Sequence, residues 1–138
     1  MILSRRENRF FDVARAVSKT SDFHGQKMGC CVVYGKNILS VASNSEKTHS
    51  LQKTYNKYRG FDPETNANKL HAEVHALSLI SKKFTDWANV EIYIYREWKS
   101  GKPALSKPCI TCQKLIEDLG IKTIYYIDEH GQRIKEKI

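Results

Sequence analysis

Two short stretches of this chain hold residue types that bind metals and move protons. His71-Ala72-Glu73 sets an imidazole two residues before a carboxylate, and Pro108-Cys109-Ile110-Thr111-Cys112 supplies two thiols in a C-x-x-C. One nitrogen and two sulfur donors suit zinc, which takes four tetrahedral ligands. With His71, Cys109 and Cys112 as ligands, the fourth position is left to water, whose pKa zinc lowers from about 16 to roughly 7. Glu73 then stands close to the metal without binding it, placed to take the water's proton and pass it on. That division of labour is hydrolytic.

The competing reading is a purely structural zinc site, closed by a fourth side chain from His75, His49 or Cys31. It leaves Glu73 without a role. His75 does not make a two-histidine zincin helix, because there the glutamate directly follows the first histidine and here Ala72 intervenes. It is expected to pack or to support its neighbours. Cys30 and Cys31 stand beside valines and read as small apolar side chains of a buried strand.

The elements that must position these groups follow from periodicity and caps. Ser4 and Glu7 form a capping-box pattern opening a helix over residues 4–19, with Phe10, Val13, Ala14 and Val17 at helical spacing. After a turn at His24-Gly25, strands are expected over 28–34 and 38–43, joined by a turn at Gly35-Lys36-Asn37. No periodicity marks 44–69, which reads as a long loop. A helix over 71–83, with Ala76, Leu79 and Ile80 inward, leads to a strand over 90–95 and a loop over 97–107. A second helix over 109–119 ends at Gly120 and is followed by a strand over 123–127. Residues 132–136 can return as an antiparallel edge strand, whose charges suit exposure. Alternation of strand and helix in the second half predicts a parallel portion with right-handed crossovers. Both motifs then open helices from one sheet edge, where their ligands can meet. A helix start also favours thiolate, and Pro108 fits just ahead of the first turn.

The two motifs, in this order and with a strand between them, resemble the H-x-E … P-C-x-x-C signature of the cytidine deaminase superfamily. The resemblance covers nearly the whole chain. It implies an α/β fold, a cytidine deaminase-like three-layer α/β/α arrangement with a mixed five-stranded sheet and an antiparallel last strand, in one domain over 1–138. It implies Zn2+ on His71, Cys109 and Cys112, with Glu73 shuttling protons between water, ring nitrogen and departing ammonia. The Ala72 N–H is implied as a holder of the base and Asn44 as a contact to the sugar, although an asparagine there also caps turns.

Histidine as first ligand resembles the deoxycytidylate, tRNA-adenosine and APOBEC-type branches rather than the free-cytidine branch, which places cysteine there. The chain has Leu105-Ser106-Lys107 where APOBEC-type enzymes have serine-tryptophan-serine. It lacks the glycine-tyrosine-asparagine-glycine loop of deoxycytidylate enzymes and the methionine of P-C-x-M-C in tRNA enzymes. Its short tail after Ile127 resembles compact deaminases of bacterial toxins, phages and mobile elements. Lys53, Tyr55, Lys57, Tyr58 and Arg59 interleave stacking faces with positive charge, a combination used on single strands. Lys107 beside the metal site can meet a phosphate, and a net charge of +8 draws phosphate-bearing partners. The leading expectation is cytosine-to-uracil deamination in single-stranded nucleic acid, DNA favoured. The alternatives are a deoxycytidylate or cytidine nucleotide deaminase, a tRNA adenosine deaminase, and a non-catalytic zinc-stabilised nucleic-acid-binding module. The plain alternative for the loop and the charge is a solvated, lysine-rich surface.

Hydrophobic content of 41% and charged content of 28% are those of a globular protein. No run of about 18 apolar residues predicts a membrane span, and the charged start holds no signal core, so a cytoplasmic protein is expected. Composition says nothing of oligomeric state.

Overall fold

The computed structural model describes residues 2–23, 25–47, 49–59 and 69–138. The expected turn at His24 therefore falls partly outside the described residues. The sheet is built on two strands that are apolar on both faces, β1 (Lys27–Tyr34) and β3 (Val90–Glu97). Strand alternation sends Cys30, Val32, Ile92 and Ile94 to one face and Cys31, Val33, Tyr93 and Tyr95 to the other, where each set enters its own core cluster. A strand buried on both sides must be covered on both sides, and helices do this.

On one face lies α1 (Arg5–Ser18), opened by the complete Ser4–Glu7 capping box. It buries Phe10, Phe11 and Ala14 against Cys31, Val33, Tyr93, Tyr95 and Tyr125. Gly29 allows the close approach: a Cβ there would lie 2.0 Å from the Ala14 carbonyl oxygen and 2.6 Å from the Ser18 nitrogen. The other face carries α3 (Ala72–Ser78) and α4 (Ile110–Leu119). Gly120, at φ 100°, ends α4 in the left-handed conformation that glycine adopts without strain.

The strand order is β2-β1-β3-β4-β5, with β2 (Asn37–Ser43), β4 (Thr123–Ile127) and β5 (Arg133–Lys137) completing the sheet. Only β3 and β4 pair in parallel; the other neighbours are antiparallel, the last strand included. This is the expected three-layer α/β/α fold.

Two expectations are corrected. The stretch read as a loop over 44–69 contains α2 (Ser50–Asn56) and a 3-10 turn (Lys57–Arg59). The inward residues of α2 include Gln52 and Asn56, so its buried face is partly polar and gives no hydrophobic period. The helix expected over 71–83 stops at Ser78. The Leu79 and Ile80 N–H groups turn to carbonyls three residues back, and the Ser78 hydroxyl donates to the His75 carbonyl. Leu79 is consequently 59% exposed rather than buried, while Ile80 packs partly on the core.

Candidate active site

His71 and Cys109 occupy equivalent places, each the extended N-cap residue of its helix and each without a side-chain cap bond. Side chains that would ordinarily close a helix start are thereby turned to each other. His71 Nδ1 lies 3.3 Å from Cys112 Sγ and 3.6 Å from Cys109 Sγ. All three donor atoms fall within 4.8 Å of one another. A single nitrogen and two sulfurs so gathered fit zinc in number and in softness.

Among the described residues no fourth ligand joins them. His75 bonds the Ser43 carbonyl through Nδ1 at 3.0 Å, and His49 caps α2 by accepting the Leu51 N–H. Cys31 sits in the opposite core cluster, its pKa pushed up to about 12 by burial. The three candidates for a closed structural site are thus engaged elsewhere.

The thiols are electrostatically paired. A hydrogen bond from Cys112, with further help from His71, holds Cys109 down at about 3 against the opposing effect of burial. The same bond, together with burial, pushes Cys112 well up. One thiolate and one thiol sharing a proton is what a divalent cation converts to two thiolates.

Glu73 follows on α3, 1% exposed. Burial raises its pKa, the His71 charge opposing this and the Cys109 charge adding to it. Its Oε1 has no hydrogen-bond partner. A cavity of about 490 Å³ opens over these groups, lined by His71, Glu73 and Cys109 together with Asn44, Lys69, Arg96 and Lys107. Among the described residues four buried side-chain polar atoms lack partners, and three of them, on Gln26, Glu73 and Arg96, belong to residues lining this cavity.

Asn44 is bonded into the fold through both ends of its amide. Its Oδ1 accepts from the Met28 N–H at 3.0 Å and the Ser21 hydroxyl at 2.6 Å, and its Nδ2 donates to the Gln26 carbonyl at 3.0 Å. It anchors the end of β2 while lining the cavity. Ala72 is buried at the first turn of α3. Lys107 also lines the cavity, with its ammonium 3.6 Å from Glu136.

The aromatic and basic segment lies elsewhere. Lys53 and Tyr55 are on α2, and Lys57, Tyr58 and Arg59 form the 3-10 turn. Tyr55 donates to Asp118 of α4 at 2.8 Å, and the ammonium groups of Lys57 and Lys114 stand 5.2 and 5.7 Å from the Tyr58 ring centre. Lys53, Tyr55, Lys57 and Tyr58 do not line the cavity, and the Arg59 side chain lies outside what the structure describes.

Three residues that carry the site were not read from the sequence. Gln52, fully buried, accepts the His71 N–H at 3.0 Å and donates to Asn56 at 2.8 Å, fixing the backbone of a ligand. Ser106 donates to the Ile94 carbonyl and accepts the Ile127 N–H, tying the loop before Pro108 to β3 and β4. Arg96 follows Ile92 and Ile94 on the inward face of β3. A cation two residues beyond Ile94, on the same side of the strand, is the signal that could have found it.

A three-layer sheet with an imidazole and two thiols at adjoining helix starts, beside a buried carboxylate, defines the zinc-dependent deaminases. The chain belongs to that group: the family described as "Cytidine and deoxycytidylate deaminase zinc-binding region" matches residues 4–128. Zinc is accordingly its metal. Among solved structures it is similar to the dCMP deaminase of cyanophage S-TIM5 in apo form, with 26% identity over 93% of this chain and 86% of that one, at a TM-score of 0.64. The complex of that enzyme with dCMP and dUMP gives 25% identity over 94% and 85%, at 0.60. Cytidine deaminase from Burkholderia pseudomallei, 12% identical over 98% and 93% at 0.65, shares the fold. No significant match is found among curated proteins. No described helix is long and apolar enough to cross a membrane.

Proposed function

We propose that this chain hydrolyses the amino group from the cytosine of a free nucleotide, deoxycytidylate or cytidylate, to give the uracil nucleotide and ammonia. One observation carries this reading: the ligand triangle and the unpartnered Glu73 carboxylate share one cavity, and about 490 Å³ is the size of a small-molecule site. Two facts favour a nucleotide over a strand. The stacking and basic residues Lys53, Tyr55, Lys57 and Tyr58 stay outside the cavity, and the phage enzyme whose complex contains dCMP and dUMP is similar over most of the chain.

Zinc held by His71, Cys109 and Cys112 would supply the Lewis acidity that activates a water. Glu73 takes the proton that water gives up and delivers it to the ring nitrogen beside the carbon under attack. Glu73 then carries the second proton to the amine, the C–N bond breaks, and ammonia leaves a carbonyl behind. Both protons of one water are thereby accounted for. Burial suits Glu73 to this traffic, since a carboxylate short of hydrogen bonds gains more from holding a proton. The Ala72 N–H would hold the base, and Asn44 the sugar.

The test is a product panel by mass spectrometry: dCMP, CMP, their nucleosides, adenosine-bearing RNA, and a cytosine-bearing single-stranded oligonucleotide. Uracil nucleotide from dCMP or CMP supports the reading. Turnover of the oligonucleotide alone would return the substrate to single strands, and turnover of none would favour a binding module.

A further inference from the structure

Of the cations lining the cavity, two are already engaged. Lys69 pairs with Glu46 at 2.5 Å and Lys107 with Glu136 at 3.6 Å. Arg96 differs. Among the described residues it has no ion pair; its Nη1 makes one long bond of 3.4 Å to the Leu105 carbonyl, and its buried Nε has no partner at all. Burial presses its pKa down, and the nearby Glu73 charge only partly offsets this. A half-buried guanidinium whose Nε is shut off from water and left unbonded is a group that a ligand can complete.

Its place in the sheet says which part of a ligand it meets. Arg96 pairs in register with Met28, and the Met28 N–H donates to Asn44, so Asn44 and Arg96 flank Met28 on neighbouring strands. One small ligand can reach both. The pyrimidine is neutral and its polar edge faces Glu73 and the helix start in the reading above, so it has no use for a cation. The planar fork of a guanidinium matches phosphate oxygens. Gln26 adds an unpartnered acceptor, Oε1, to the same cavity, which suits a sugar hydroxyl.

We infer that Arg96 binds the phosphate of the substrate and so selects nucleotides over nucleosides, an assignment that rests on the nucleotide reading of this cavity. A charge-assisted bond of this kind is worth roughly a 10- to 150-fold change in affinity.

The experiment measures dissociation constants of zinc-loaded protein for dUMP and for deoxyuridine, in wild type, Arg96→Met and Arg96→Lys, alongside turnover of dCMP and deoxycytidine. The expected result is a dUMP preference that falls about 10- to 150-fold in Arg96→Met, with part of it kept in Arg96→Lys. The ratio of kcat/KM for dCMP over deoxycytidine should fall in parallel. Deoxyuridine binding itself reports an intact site, so a misfolded variant is recognised and the lysine variant decides. An unchanged preference, or an equal loss for both ligands, overturns the assignment. If wild type deaminates only an oligonucleotide, the free-nucleotide reading fails, while the dUMP-to-deoxyuridine ratio still decides whether Arg96 holds phosphate.

Discussion

The two faces of the sheet treat their carboxylates in opposite ways. Beneath α1, every oxygen of Glu7 and Glu91 has a donor. Glu7 receives the Ser4 N–H at 2.8 Å and the Tyr125 hydroxyl at 2.5 Å, with Lys135 3.4 Å away. Glu91 receives Arg6 at 3.0 Å and the hydroxyls of Tyr93 and Tyr125 at 3.3 and 3.1 Å. The two tyrosine rings stack at 4.0 Å, which sets the hydroxyls side by side. Burial alone would push Glu7 up, but its donors pull it down to about 2. On the other face Glu73 is buried with an oxygen unmatched, and its pKa moves up. A closed set of hydrogen bonds belongs to the fold, and an open set awaits a ligand.

That contrast predicts that substitutions on one face change activity and on the other change stability. The largest effect is expected at Glu73→Gln, which should lower kcat about 10²- to 10⁴-fold while zinc content, circular dichroism and Tm hold or improve, since a buried charge is removed. Loss of fold in this variant would erase the distinction. Next comes Gln52→Leu, which leaves the His71 N–H without its acceptor. Zinc affinity, followed by competition with a chromogenic chelator, should fall about 10- to 100-fold. Unaltered affinity would make Gln52 a packing residue only.

On the α1 face, Tyr125→Phe deletes the hydroxyl shared by Glu7 and Glu91. Urea unfolding should show a loss of about 1–3 kcal/mol, with kcat unmoved. A fall in kcat of tenfold or more would mean that the two faces are coupled. The smallest effect concerns pH. Glu7 has its folded pKa depressed to about 2 from 4.5, so its contribution is complete above the unfolded value and is lost as pH falls through about 2. Glu7→Gln should therefore be less stable than wild type by about 1 kcal/mol at pH 7, with the gap closing in acid. A gap that widens in acid contradicts this sign.

What the sequence made legible divides along the same line. Ligand chemistry is written in residue type and spacing, so His71, Glu73, Cys109 and Cys112 stand out together in the sequence, as do the central strands, which are short apolar runs. Helix α2 could not, because it buries Gln52 and Asn56, and a polar pair that bonds within itself leaves no hydrophobic period. The early end of α3 depends on local bonds made by Ser78, Leu79 and Ile80 after a run that reads as helix. Residues 53–59 look like a strand-binding segment in one dimension, and only packing against α4 shows Tyr55 spent on Asp118. Arg96 was missed because the expected strand ended at residue 95, whereas β3 runs on to Glu97 and carries Arg96 to the cavity.

The central claim is that water replaces the amino group under the hand of Glu73. Turnover of dCMP in oxygen-18 water tests it most directly. The account predicts one heavy oxygen in each uracil ring formed, one ammonia released for each, and neither above background with zinc-loaded Glu73→Gln. Product lacking the heavy atom, or a Glu73→Gln protein that labels as fast as wild type, would contradict it.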